Sequence, residues 1–167
     1  MFRNLWRTGM SPSQTATEHS PQRRSRGGNM SNADEAAVAR FYEHYARVVD
    51  DQDYDALAAL CSPDVRLILN GDEHHGAGDF VAVYREALGS AVGSRHLITN
   101  IGLDLSDGIR ARTYLLVEWW SESWTRQGVG RYEDDLAWVD GQLVFAVKRI
   151  YLERVVELTA PAHEEVA

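Results

Sequence analysis

Apolar positions recur every three or four residues between about 31 and 61, and every second residue beyond about 94, so the chain changes from helical to extended habit midway. Val38, Phe41, Tyr42, Tyr45 and Val49 fall on one helical stripe. Ser31 and Asp34 precede it with the spacing of a capping box, and the stripe runs out at the acidic stretch 50–53, "DDQD". Asp53 is placed to cap a second, short helix that carries Leu57, Leu60 and Cys61 inward until Ser62-Pro63 stops it. "VRLIL" at 65–69 predicts a strand, "NGDEHHGAG" at 70–78 a polar loop, and Phe80, Val83, Tyr84, Ala87 and Leu88 the inner face of a third helix that ends at Gly89. Strands follow near 95–105, 109–123, 129–139 and 142–153, divided by the turn signals Asp107-Gly108, Gln127-Gly128 and Asp140-Gly141. Three helices followed by an antiparallel meander predict an α+β fold, with the sheet curved around the helices to bury its apolar face.

Composition narrows the setting. The chain has 167 residues, 44% of them hydrophobic, which suits one domain with a real core. Net charge is −8, yet Arg3, Arg7, Arg23, Arg24 and Arg26 face only Glu18 within the first 30 residues, so the rest is more acidic than the whole. An acidic body repels polyanions and argues against a nucleic-acid partner. Residues 1–32 are rich in Ser, Arg, Gly and Pro without sustained periodicity, which predicts a disordered basic extension; Met10 and Met30 offer later starts, and an Arg-rich organellar targeting segment is the alternative. The folded domain is expected over 33–155, with a flexible polar tail over 156–167. Cys61 is the single cysteine and no apolar run approaches the roughly 20 residues that cross a bilayer, so the expected setting is a reducing cytoplasm with no membrane partner.

In the strand around 94–100, "SRHLITN", alternation sends His96, Ile98 and Asn100 to one face and Leu97, Thr99 and Ile101 to the other. A strand apolar on both faces must give its buried polar groups partners, because an unpaired one costs about 1–3 kcal/mol. Trp119, Trp120, Trp124, Tyr114 and Tyr132 fit either a substrate cavity or an ordinary β core. His74, His75, Asp72, Glu73 and Asp79 form no spaced metal motif, so a polar surface loop is the preferred reading and no metal is expected. Cys61 reads as packing, and no Ser or Cys motif supports nucleophilic catalysis.

Tyr45, then Asp50 five residues on, then His96 and Asn100 as H-x-x-T-N in a strand after the third helix, resemble the SnoaL-like, nuclear-transport-factor-2-like superfamily, and within it the scytalone dehydratase, bile-acid 7α-dehydratase and dehydrochlorinase branch. "YARVVDDQDYDALAALCSPDVRL" and "GRYEDDLAWVDGQLVFAVKRIYLE" resemble its opening helices and closing hairpin, so the likeness spans residues 35–153. The resemblance implies a cone-shaped α+β barrel. It implies that His96 removes a proton next to the bond to be broken, that Asp50 orients it, and that Tyr45 holds substrate or leaving group. It places Asn100 at the family's strand asparagine, and a basic residue of the last strand, Lys148 or Arg149, beside the leaving group; one residue of register separates those two. Tyr42, Trp119 and Trp120 are further candidate substrate contacts by their aromatic character. The chemistry agrees with these types, since neutral imidazole accepts a proton near neutrality and a carboxylate on its other nitrogen fixes the tautomer. No cofactor is required. The expected activity is a lyase of dehydratase type, or an isomerase or cyclase, acting on a hydrophobic ring compound such as a polyketide, steroid or terpenoid intermediate. The rival is a non-catalytic binding or assembly module, such as the small subunit of an aromatic-ring-hydroxylating dioxygenase. Apolar residues on both faces of the later strands also predict a homo-oligomer, trimer or dimer.

Overall fold

The helical stripe and the period-two strands both appear in the computed structural model, which describes residues 32–158. The order is α1 (Asn32–Asp50), α2 (Tyr54–Ala59), β1 (Cys61–Leu69), β2 (Asp72–His75), α3 (Gly76–Leu88), β3 (Gly93–Asp104), β4 (Ile109–Trp120), β5 (Thr125–Val139) and β6 (Gln142–Leu158). The expected N-terminal extension, its alternative starts, the Ser31 cap and the end of the polar tail lie outside the described residues. Among the described residues no helix is long and apolar enough to cross a membrane.

The strands form one curved sheet in the order β2-β1-β6-β5-β4-β3. Neighbours run antiparallel except β1 and β6, which pair in parallel with Leu67 opposite Lys148. The three helices pack against this sheet, α1 on β3 and α3 on β1, as the α+β expectation requires. Strand β4 shows why one face is inside: Ile109, Ala111, Thr113, Leu115, Val117 and Trp119 are all buried, and the residues between them are more exposed. The predicted stripe of α1 is buried in full, and its rings close on Phe145 of β6: centroids lie 4.7 Å from Phe41 and 5.1 Å from Tyr45. Burying each such ring contributes about 1.5–3 kcal/mol.

Several boundaries differ from the sequence reading. Residues 72–75 form an edge strand hairpinned on β1, with Asn70 and Gly71 at positive φ in the turn, because the β1 edge supplies hydrogen-bond partners that a local pattern does not reveal. Helix α2 begins as expected, Asp53 Oδ1 accepting from the Ala56 N–H at 3.0 Å, but it stops before Cys61, which already belongs to β1. The turn expected at Gln127-Gly128 lies instead at 121–124, where Ser121 Oγ accepts from the N–H groups of Ser123 and Trp124. Gly128 remains inside β5, where a Cβ would press on Val117 and Leu152. Strand β6 runs on to Leu158, five residues beyond its expected end at 153, held by pairing with the start of β5.

Candidate active site

Asp50 closes the last turn of α1, where the negative end of the helix dipole disfavours a carboxylate. Three donors from β3 offset that cost. Ser94 Oγ donates to Oδ1 at 2.9 Å, the His96 N–H donates to Oδ2 at 3.1 Å, and His96 Nδ1 lies 2.7 Å from Oδ1. Strand β3 is a sheet edge, so its outward N–H groups need partners other than strands, and the α1 carboxylate serves one of them. A carboxylate that accepts from an amide and a hydroxyl is the acceptor for the ring as well. Nδ1 therefore carries a hydrogen, and in the neutral ring the lone pair lies on Nε2.

The pair is nearly buried, with side-chain exposures of 11% for Asp50 and 7% for His96. His96 forms part of the wall of a cavity of about 60 Å³, with Tyr84, Trp119, Leu115, Tyr132 and Ile150 and further aliphatic side chains from α3, β1, β4 and β6. Both members of the pair also border a wider groove of about 430 Å³ between α1 and β3, floored by Ala46 and Ile98. The pair thus stands in a wall between an apolar interior and an open face. In low dielectric such a couple is stronger than in water, which suits a base that must become transiently cationic.

The other expected site residues divide. Trp119 points inward and lines the cavity, whereas Trp120, one residue on, takes the opposite face, where the Arg95 guanidinium lies 5.7 Å from its ring. Asn100 does not share the His96 face. It has φ of 54° at a bulge where the β3–β4 register shifts between Thr99 and Gly102, and it is exposed; the extra residue breaks the alternation that had joined the two. Tyr45 is completely buried and stands behind the cavity wall, its hydroxyl 2.5 Å from that of Tyr84. Tyr42 is buried too, and donates to Asp134 Oδ2 at 2.6 Å.

Register decides between Lys148 and Arg149. Lys148 is wholly buried, with Nζ 3.1 Å from Asp134 Oδ2 and 3.4 Å from the centroid of the Tyr132 ring, while Arg149 turns outward to Asp135 at 3.0 Å. Burial pulls the Lys148 ammonium down to about 8 and pushes the Asp134 carboxyl up, because both charged forms lose water. Lys148 does not reach the cavity; the Tyr132 ring, which does, packs against it. Burial also holds the Tyr42, Tyr45 and Tyr84 phenols well above their usual range and pushes the Cys61 thiol up to about 12, so all four are protonated near neutrality.

Ser94, Tyr84 and Asp134 escape the sequence reading as site groups, whereas Tyr132 is one of the aromatics read as either cavity or core. Ser94 carries a usable signal, since it precedes His96 by two and must share its face. Asp134 carries another, a charge in phase with Tyr132 and Leu136 on the buried side of β5. His74 and His75 lie on the edge strand β2, away from this centre.

Solved structures with the same architecture include a protein of Novosphingobium aromaticivorans described as a scytalone dehydratase, at 19% identity, a TM-score of 0.70 and coverage of 78% of this chain and 91% of that one. A type 2 hexachlorocyclohexane dehydrochlorinase matches at 18% identity and a TM-score of 0.68, over 79% and 96% of the two chains. Another N. aromaticivorans protein, described as an aromatic ring hydroxylase, matches at 16% identity and a TM-score of 0.69, over 77% and 95%. At these identities the likeness is one of fold. No curated protein matches the chain. The SnoaL-like domain model matches residues 31–149, most of the chain, and the protein belongs to that family.

Proposed function

We propose that this SnoaL-like protein is a small-molecule lyase of dehydratase type, with isomerisation or cyclisation from the same first step as the close variant. The observation that carries the reading is the 2.7 Å contact between Asp50 and His96 in the wall of an apolar cavity. Fold neighbours described as a scytalone dehydratase and a dehydrochlorinase support the same class. His96 Nε2 takes a proton from an acidic C–H. The C–H electron pair becomes the new double bond as the leaving group departs with its own bonding pair, and the imidazolium, held by Asp50, later returns the proton to the leaving group or to solvent. Delivery to a different carbon gives isomerisation instead.

The test is incubation of the purified chain with hydroxylated polyketide, steroid and terpenoid ring compounds, with mass-spectrometric detection of water loss. His96→Ala and Asp50→Asn serve as controls. A positioned base is worth about 10²–10⁴ in rate, so His96→Ala removes that factor. Turnover that survives both substitutions refutes the mechanism. No turnover by the wild type puts a non-catalytic binding module ahead.

A further inference from the structure

Apart from the Trp119 indole, the polar side chains lining the cavity are His96, Tyr84 and Tyr132. Tyr84 and Tyr132 meet at Tyr45. The Tyr45 and Tyr84 hydroxyls are 2.5 Å apart, and the Tyr45 and Tyr132 phenols are close enough for each to shift the other's ionisation. An open chain of three hydroxyls has three hydrogens and at most two internal bonds, so whenever Tyr45 donates to one neighbour a cavity tyrosine keeps an O–H for an acceptor outside the group. Burial keeps Tyr45, Tyr84 and Tyr132 protonated, which makes them donors.

The two cavity tyrosines are also fixed in place. The Tyr84 ring stacks on Phe80 at 5.3 Å and 16°, and the Tyr132 ring carries the Lys148 ammonium on its face. A cation against the ring draws electron density from it and strengthens the phenol as a donor. The volume sets the size of the guest. One water needs about 10–15 Å³ on the scale by which this cavity measures about 60 Å³, so it has room for about four to six waters, close to a single six-membered ring.

We infer that Tyr84 and Tyr132 form the oxygen-binding pole of the cavity, taking the carbonyl or hydroxyl of a compact single-ring ketone, enone or cyclic alcohol while His96 faces its C–H. The inference rests on the cavity being the substrate site and deepens it in two ways. It assigns the oxygen to residues other than Tyr45, and it makes one ring, not a fused polycycle, the fitting substrate. Hydrogen bonds at this pole would stabilise the enolate-like charge that forms as His96 takes the proton.

The experiment compares two isosteres, cyclohexanone and methylenecyclohexane, titrated by NMR into the full chain. The reading is the ratio of their dissociation constants. In the Tyr84→Phe/Tyr132→Phe double variant the ratio should move about tenfold against the ketone, while the alkene binds as it does to wild type and so reports an intact cavity. The single variants should each move it part of the way, and they carry the test if the double variant fails to fold. A ratio identical in wild type and the Phe variants overturns the inference, as does binding of neither compound. A wild-type chain that shows the tenfold dependence but turns over no substrate upholds the pole and refutes the lyase reading.

Discussion

Among the described residues two carboxylate–base pairs with side chains about nine-tenths buried or more lie at similar distance, and they lead different lives. Asp50 and His96 meet at 2.7 Å with 11% and 7% of their side chains exposed; Asp134 and Lys148 meet at 3.1 Å with none. Both oxygens of Asp134 are engaged, by the Tyr42 hydroxyl, the Arg149 N–H and Lys148, and the lysine is enclosed by the rings of Tyr45, Tyr132 and Phe145. An ammonium has one nitrogen, and here the carboxylate and the rings surround it. An imidazole has two. One can be fixed by a carboxylate while the other stays available, so a pair acts as acid and base only where the second nitrogen has something to face.

The largest expected effect tests that distinction directly. His96→Ala should lower turnover by about 10²–10⁴ and lower stability by only about 1 kcal/mol, read from kcat and from urea melts. Asp134→Ala should do the reverse, costing about 3–5 kcal/mol because it strands a buried ammonium. Adding Lys148→Met should recover more than about 1 kcal/mol of that loss; strict additivity would show that the two residues are not a coupled pair. Ser94→Ala removes a donor to Asp50 and should cost about 1 kcal/mol in stability, with kcat falling more than KM changes. The smallest effect concerns a buried hydroxyl without a hydrogen-bond partner, that of Thr113 on β4. Thr113→Val should be neutral or stabilising by up to about 1 kcal/mol, whereas a clear loss would mean that the hydroxyl is engaged.

Much of this was legible in the sequence because it follows from period and end signals. The α1 stripe, the strand carrying His96 and the aspartate at the helix end all rest on spacing. Asn100 was misread because a bulge adds one residue and reverses every later side chain, yet asparagine is also a residue that tolerates positive φ, and Gly102 follows two residues later. Tyr45 was placed at the substrate by resemblance, and its stripe could not correct this, since a stripe tells which face is inward and not how deep a ring stands behind its neighbours. Tyr84 read as core for the same reason, and Tyr132 as either cavity or core. Their meeting depends on α3 and β5 lying on opposite sides of one cavity, which no local pattern contains.

The parallel pairing of β1 with β6 has a consequence for how the chain comes to be folded. Until β6 arrives, β1 has β2 as its sheet neighbour, the β5 edge of the meander is unpaired, and Phe41, Tyr45 and Phe80 lack the ring of Phe145 on which they converge. Pairs as distant as Leu67 with Lys148 carry a long loop-closure cost, so the sheet cannot close early. A nascent chain still short of β6 would therefore hold the apolar positions of α1 and α3 without their final cover. The domain is sealed by its last strand, and the interval before that strand appears is when the protein most needs shelter from its neighbours.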